Sequence, residues 1–213
     1  MRKRMTKTII CLTGCTVLLL AAGCRIFQSQ PDPVQYYTLS YDKPEVANCR
    51  DKAVDTPLVI RIKRLDAAAP YNTNHIIYAP NRYERSEYAY QKWIKPPSDI
   101  MTPLLVRDIE NSGIAETVGQ MPSGKNITHR IEGTIIDFYE NDKPDDWEAV
   151  LALRLSLTHI KSGSKTEKVI FTKTYREEKK LAKNNPHALA RAMSEAMKSV
   201  SVRFIDDICK KLP

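Results

Sequence analysis

The chain has 213 residues, 33 Lys and Arg against 25 Asp and Glu, a formal charge of +8 and five cysteines. That length is enough for one domain with a substantial core, at the upper end of the single-domain range. The charge does not call for nucleic acid: Arg2, Lys3, Arg4 and Lys7 sit in one short opening segment, and without it 29 basic residues face 25 acidic ones with the signs interspersed.

The opening segment reads as a bacterial secretory signal. Four basic residues precede an apolar run from Thr8 to Ala22, too short and wrongly flanked for a membrane span. The run ends in Leu20-Ala21-Ala22-Gly23-Cys24, small residues followed by a cysteine, the pattern of a lipoprotein signal. Cys24 is the expected lipidation site, carrying diacylglycerol on its thiol and an N-acyl chain; no other cofactor is expected. Leu12-Thr13-Gly14-Cys15 matches the pattern locally, but its apolar core is at the short end for such a signal. An ordinary cleaved signal with an incidental cysteine is the other alternative. The expected organisation is a signal peptide at 1–23, a lipidated tether at 24–35 and one domain at 36–213. Three acyl chains suffice for stable anchoring. Arg25 stands where an Asp would retain the protein at the inner membrane, so the outer membrane, periplasmic face, is the expected location.

Cys11 and Cys15 leave with the signal, so Cys49 and Cys209 remain in a compartment that permits disulfides. A Cys49–Cys209 disulfide is expected, two separate buried thiols being the alternative. No Cys-x-x-Cys or Cys/His cluster suggests a metal.

The tether is polar and carries prolines, and eleven residues span at most about 40 Å. Tyr36–Tyr41 reads as a first strand and 42–56 as a loop holding Cys49. Leu58–Leu65 alternates, with Leu58, Ile60 and Ile62 on one face. Short strands are expected at 75–78 and 87–93. Pro96-Pro97-Ser98-Asp99 predicts a helix start with Ser98 as N-cap, or alternatively a start at Thr102 with Pro103 in the first position, the helix running to Ser112-Gly113. Ile114–Val118 reads as a short strand. Three longer strands follow: 127–139 with Ile127, Ile131 and Ile135 on one face, 147–160 with Leu151, Leu153, Leu155 and Leu157 on one face, and 168–176. A long amphipathic helix over 186–212 presents Leu189, Met193, Ala196, Val200, Phe204 and Ile208 at three- and four-residue steps. The expected fold class is α/β (α+β): a mixed, largely antiparallel sheet covered by two helices in a single domain.

Catalytic patterns are absent. None of the glycines lies in a phosphate- or dinucleotide-binding spacing, and there is neither a Gly-x-Ser-x-Gly nor a His-Glu-x-x-His segment. His129 and His159 read as sheet histidines, and His75 and His187 receive no role. The acids Asp137, Glu140, Asp142, Asp145, Asp146 and Glu148 gather at one hairpin tip without the spacing of a calcium loop, and read as a solvated turn. Arg176-Glu177-Glu178-Lys179-Lys180 reads as a self-compensating surface run. Six aromatic residues fall between Tyr71 and Trp93. They are either sheet packing or an interface for a partner, with Tyr83, Tyr88, Tyr90 and Trp93 as the candidate contacts.

The order of these features resembles one family. A lipoprotein cysteine and short tether precede Tyr36-Tyr37-Thr38-Leu39, an alternating strand at 58–65 and a short one at 75–78. Then come Tyr88-Ala89-Tyr90-Gln91-Lys92-Trp93-Ile94-Lys95-Pro96, Ile100, Leu104 and Leu105, and a long final helix. This set is similar to the ABC-type transport auxiliary lipoproteins, partners of mammalian-cell-entry (MCE) domain and paraquat-inducible lipid transport systems. The resemblance implies a domain like the amino-terminal domain of TolB and a non-enzymatic subunit. It would dock an MCE-domain protein, the lipid conduit, at the outer membrane, with a homo-oligomeric ring as one arrangement. A periplasmic assembly or secretion lipoprotein, of the pilotin or curli-secretion kind, is the alternative; an anchored enzyme is a third.

Overall fold

The computed structural model describes residues 32–46, 58–122, 126–143, 146–161 and 167–212. Cys24, most of the tether and Cys49 lie outside these residues. The chain divides between Pro33 and Val34, and the following concerns the unit Val34–Pro213.

Nine strands and two helices follow in order: β1 (Gln35–Tyr37), β2 (Val59–Ile62), β3 (Asp66–Ala67), β4 (His75–Ala79), β5 (Ser86–Trp93), α1 (Pro97–Asn111), β6 (Thr117–Gly119), β7 (His129–Lys143), β8 (Asp146–Ile160), β9 (Glu167–Lys180) and α2 (Pro186–Lys211). β7 is the spine of the sheet. Along one edge β2, β3 and β4 run parallel to it, end to end, meeting it at Ile60↔His129, Asp66↔Thr134 and Tyr78↔Glu140. Along the other edge β8 pairs antiparallel from Lys143↔Asp146 to His129↔His159, and β9 pairs antiparallel beyond β8. β6 flanks β2; β5 flanks β4, and β1 lies parallel outside β5. The fold is the expected mixed sheet with two helices.

The period-two leucines explain the core. Leu151, Leu153, Leu155 and Leu157 are fully buried, and Tyr175, opposite Leu153 on β9, meets Phe204 of α2 edge-on at 5.7 Å. All six apolar positions expected on α2 are buried. α2 packs on β8, β9 and β1 and touches α1, which packs on β3, β6 and β7. Asn185 caps α2, its side-chain oxygen accepting from the Ala188 N–H at 2.8 Å, with Pro186 in the first turn. Gly113 closes α1 in the left-handed region, φ 66°, where glycine is favoured.

Several expectations are corrected. The first strand is only Gln35–Tyr37, because the chain leaves β5 there to reach α1 and α2: Tyr41 donates to buried Asp108 at 2.7 Å, and the Ser40 N–H donates to Ser194 Oγ at 3.0 Å. Ser98 does not cap α1. The helix begins at Pro97, and the Ser98 hydroxyl is buried without a partner. Thr102 is interior as well; its hydroxyl donates to the Ser98 carbonyl at 2.6 Å and accepts the Leu65 N–H at 3.0 Å, tying α1 to the sheet. Pro103 is tolerated within the helix on its exposed side.

On β7 the expected odd-numbered face holds only to Ile135. The pairing with β8 then skips Ile136, so Phe138 and Glu140 turn inward. Ile127 precedes the strand. His159 is exposed rather than aligned with the buried leucines, while His129 across from it is buried.

Candidate interaction surface

β5 carries the aromatic candidates, and the structure separates them. Trp93 is 1% exposed, packed against Phe138 with ring centroids 5.0 Å apart, while its backbone N–H donates to the Asn74 carbonyl at 2.8 Å. It is a core residue, and as a partner contact it is withdrawn. Tyr88 is half-buried and points its hydroxyl at Glu140 Oε2, 3.0 Å away, with its ring edge-on to Tyr78. Tyr83 and Tyr90 do reach solvent, at 91% and 41% exposure. Tyr83 stands on the turn between β4 and β5, where its N–H donates to Asn81 Oδ1 at 2.9 Å.

The sheet edge adds exposed apolar neighbours to Tyr90. β1 lies along β5 with Tyr36 opposite Lys92, and Val34, Tyr36 and Ile94 are all exposed. Isolated exposed hydrophobics are ordinary, but here four share the β1–β5 edge. Sequence reading found Tyr90 through its aromatic density; Val34, Tyr36 and Ile94 belong to the patch only because β1 pairs with β5.

Behind the aromatic strand lies Glu140, a carboxylate with no exposure and one oxygen, Oε1, without a partner. Burial pushes its carboxyl above the usual range, the Tyr88 hydrogen bond works against this, and Asp142 adds to it. Burial also raises the Tyr88 hydroxyl, with the Glu140 charge adding to the effect. The hairpin acids do not converge. Asp137 pairs with Arg176 at 2.5 Å, Asp142 accepts from Trp147 Nε1 at 2.6 Å, Asp146 pairs with Lys180 at 3.0 Å, and Glu148 accepts from Asn141 at 3.2 Å. Asp145 lies outside the described residues. Among the described residues no three His, Cys, Asp or Glu side chains are arranged to hold a metal ion.

On β7 and β8, His129 and His159 face each other with ring centroids 5.1 Å apart. Burial, then the neighbouring His159, lower His129 to about 4, so it is neutral at physiological pH. His75 pairs with Glu87 across β4 and β5. The Thr128 hydroxyl lies 3.0 Å from His129 Nδ1 and is also within 3.2 Å of the Val59 carbonyl, to which it donates.

A cleft of about 800 Å³ opens between β1, the end of β9 and the start of α2. Gln35 and Tyr37 form one wall; Lys179, Lys183, His187 and Arg191 bring basic side chains to the others. The self-compensating reading of 176–180 holds for Arg176 with Glu178 and for Lys179 with Glu177, whereas Lys180 pairs with Asp146 outside the run, and Lys179 and Lys180 end the strand at this opening. Cys209, on the last turns of α2, is disulfide-bonded.

Comparisons with known proteins follow this geometry. A protein of Xanthomonas campestris from the DUF330 family matches with a TM-score of 0.63 and 17% identity, over 84% of this chain and 94% of its own. An uncharacterized protein matches with a TM-score of 0.62 and 15% identity, over 83% and 99%. A hypothetical protein of Chlamydia trachomatis matches with a TM-score of 0.50 and 7% identity, over 73% and 98%. At these identities the likeness is one of fold. No curated protein matches the chain. The family model described as ABC-type transport auxiliary lipoprotein component matches residues 37–204.

Proposed function

Because the chain belongs to the ABC-type transport auxiliary lipoprotein family, we propose that it is the lipid-anchored periplasmic subunit of an MCE-type ABC lipid-transport system, docking the conduit at the outer membrane. The carrying observation is the family match, which runs from the last residue of β1 almost to the end of α2. The anchor is carried by sequence: the small residues before Cys24 and the basic-then-apolar segment ahead of them. Among the described residues no helix is long and apolar enough to cross a membrane, and in this reading the acyl chains on Cys24 hold the domain at the membrane. Arg25 favours the outer membrane. The role assigned is non-enzymatic: holding, not turnover.

The surface proposed for the MCE-domain partner, or for a neighbouring copy in a ring, is the exposed part of the aromatic region, Tyr83 and Tyr90, extended by Tyr36 and Ile94. Amphipathic rings on a sheet edge supply contact area at low entropic cost. A bond between Cys49 and Cys209 would tie the segment before β2 to α2, contributing up to about 5 kcal/mol by restricting the unfolded chain.

Intact mass and fractionation test the anchor and the pairing together. The purified chain is expected to begin at an acylated Cys24, to sediment with outer membranes, and to gain about two daltons on reduction. A Cys24→Ala chain that still sediments with outer membranes after a salt wash would overturn the anchor. An unchanged mass on reduction would overturn the disulfide.

A further inference from the structure

The cleft beside β1 is walled by Gln35 and Tyr37, the residues on either side of Tyr36 in the proposed partner surface, and among the described residues its charged side chains are basic apart from Glu195. Lys183, His187 and Arg191 are exposed, and among the described residues none of the three makes an ion pair or a side-chain hydrogen bond. Lys179 and Lys180, at the same opening, are partly compensated by Glu177 at 3.2 Å and Asp146 at 3.0 Å. Glu195 is the only carboxylate on the cleft wall. Unpaired cations around a concave opening focus a positive field and attract anions.

The position of the cleft identifies the anion. Gln35 and Tyr37 of β1 form its wall, and β1 is where the tether enters the domain. Gln35 is eleven positions along the chain from Cys24, so this wall cannot stand more than about 40 Å along the chain from the acylated cysteine. The exposed Val34 immediately precedes that strand. The surface where the tether enters the domain is thus basic with an apolar residue beside it, a composition suited to an anionic lipid surface.

We propose that the cleft binds the phosphate-bearing head groups of anionic phospholipids in the membrane that holds the anchor, so that the domain lies against that membrane with Lys183, His187 and Arg191 facing it. This rests on the anchor reading above, and it concerns lipid as a surface, not as transported cargo. The consequence is orientation: two points of attachment, acyl chains and cleft, fix the face that the domain turns to its partner, where the tether alone would leave it free to rotate.

The test uses the full acylated chain on vesicles of phosphatidylcholine alone and of phosphatidylcholine with one third phosphatidylglycerol. Acetylation of lysines by an uncharged ester is followed by mass spectrometry, with Lys168 at the far end of β9 as the internal reference. On anionic vesicles the Lys183 rate, relative to Lys168, is expected to fall at least about fivefold, and to recover in high salt or in the Arg191→Glu variant. Equal ratios on the two vesicle types would overturn the proposal. So would the same slowing on neutral vesicles supplied with free glycerol phosphate, which would make the cleft a small-molecule phosphate site. Flotation on neutral vesicles reads the acyl anchor by itself; if it fails, the anchor reading falls while the Lys183 ratio still decides the cleft.

Discussion

His129 is buried beside Thr128 and across from His159, and its lowered proton affinity makes stability depend on pH. The folded state holds it neutral to about 4, while the unfolded chain protonates it near 6.5. The unfolded state therefore binds more protons between those values. The histidine's contribution is fully present above about 6.5 and is lost as pH falls through about 4, up to about 3 kcal/mol in all. A His129→Gln variant should show a flatter dependence of its urea midpoint over that window. The same loss of stability in the variant as in the parent chain would mean that other groups carry it. Glu140 has the opposite sign: its raised carboxyl favours the folded state least at high pH. The solvated-turn reading of the hairpin acids fails for Glu140, which is fully buried because it changes face after the strand pairing skips Ile136.

At the scale of elements, alternation and helical spacing were legible wherever one face is covered. β8 and α2 follow their patterns closely, with the expected apolar positions buried in both. What escaped was set by tertiary contacts: the shortening of β1, the start of α1 at Pro97, the change of face within β7, and the retreat of Trp93 behind Phe138. The aromatic density of β5 was visible in the sequence, but which rings face solvent was not. The basic cleft was invisible because Gln35, from the first strand, is brought against Lys179 and Arg191 on the last two elements of the chain. Close packing at β7 gives a direct test of this arrangement. A Cβ at Gly133 would stand 2.7 Å from the Arg154 carbonyl oxygen and 2.5 Å from Leu155 Cδ2. The backbone oxygen cannot turn aside as a side chain can. Gly133→Ala is expected to cost about 1–3 kcal/mol in denaturant unfolding. An unchanged midpoint would contradict the registered β7–β8 pairing, Gly133 opposite Leu155.

For the whole molecule, the mixed sheet, the two helices and the family membership describe a transport-auxiliary lipoprotein domain. Its core is covered on the leucine face by α1 and α2, and its exposed aromatic edge lies on β5, at the opposite side of the sheet from β9. The basic cleft between β1 and α2 offers a second attachment. These surfaces suit a part that sets the position of a larger assembly at a membrane. The most direct measurement is to solubilise native membranes gently, purify the tagged chain, and identify by mass spectrometry what accompanies it. An MCE-domain protein is expected, with permease and ATPase in lesser amount, and a marked loss of all three when Tyr83 and Tyr90 are both replaced by alanine. Recovery of the chain alone, or with a secretin or secretion pore in place of transporter subunits, would contradict it.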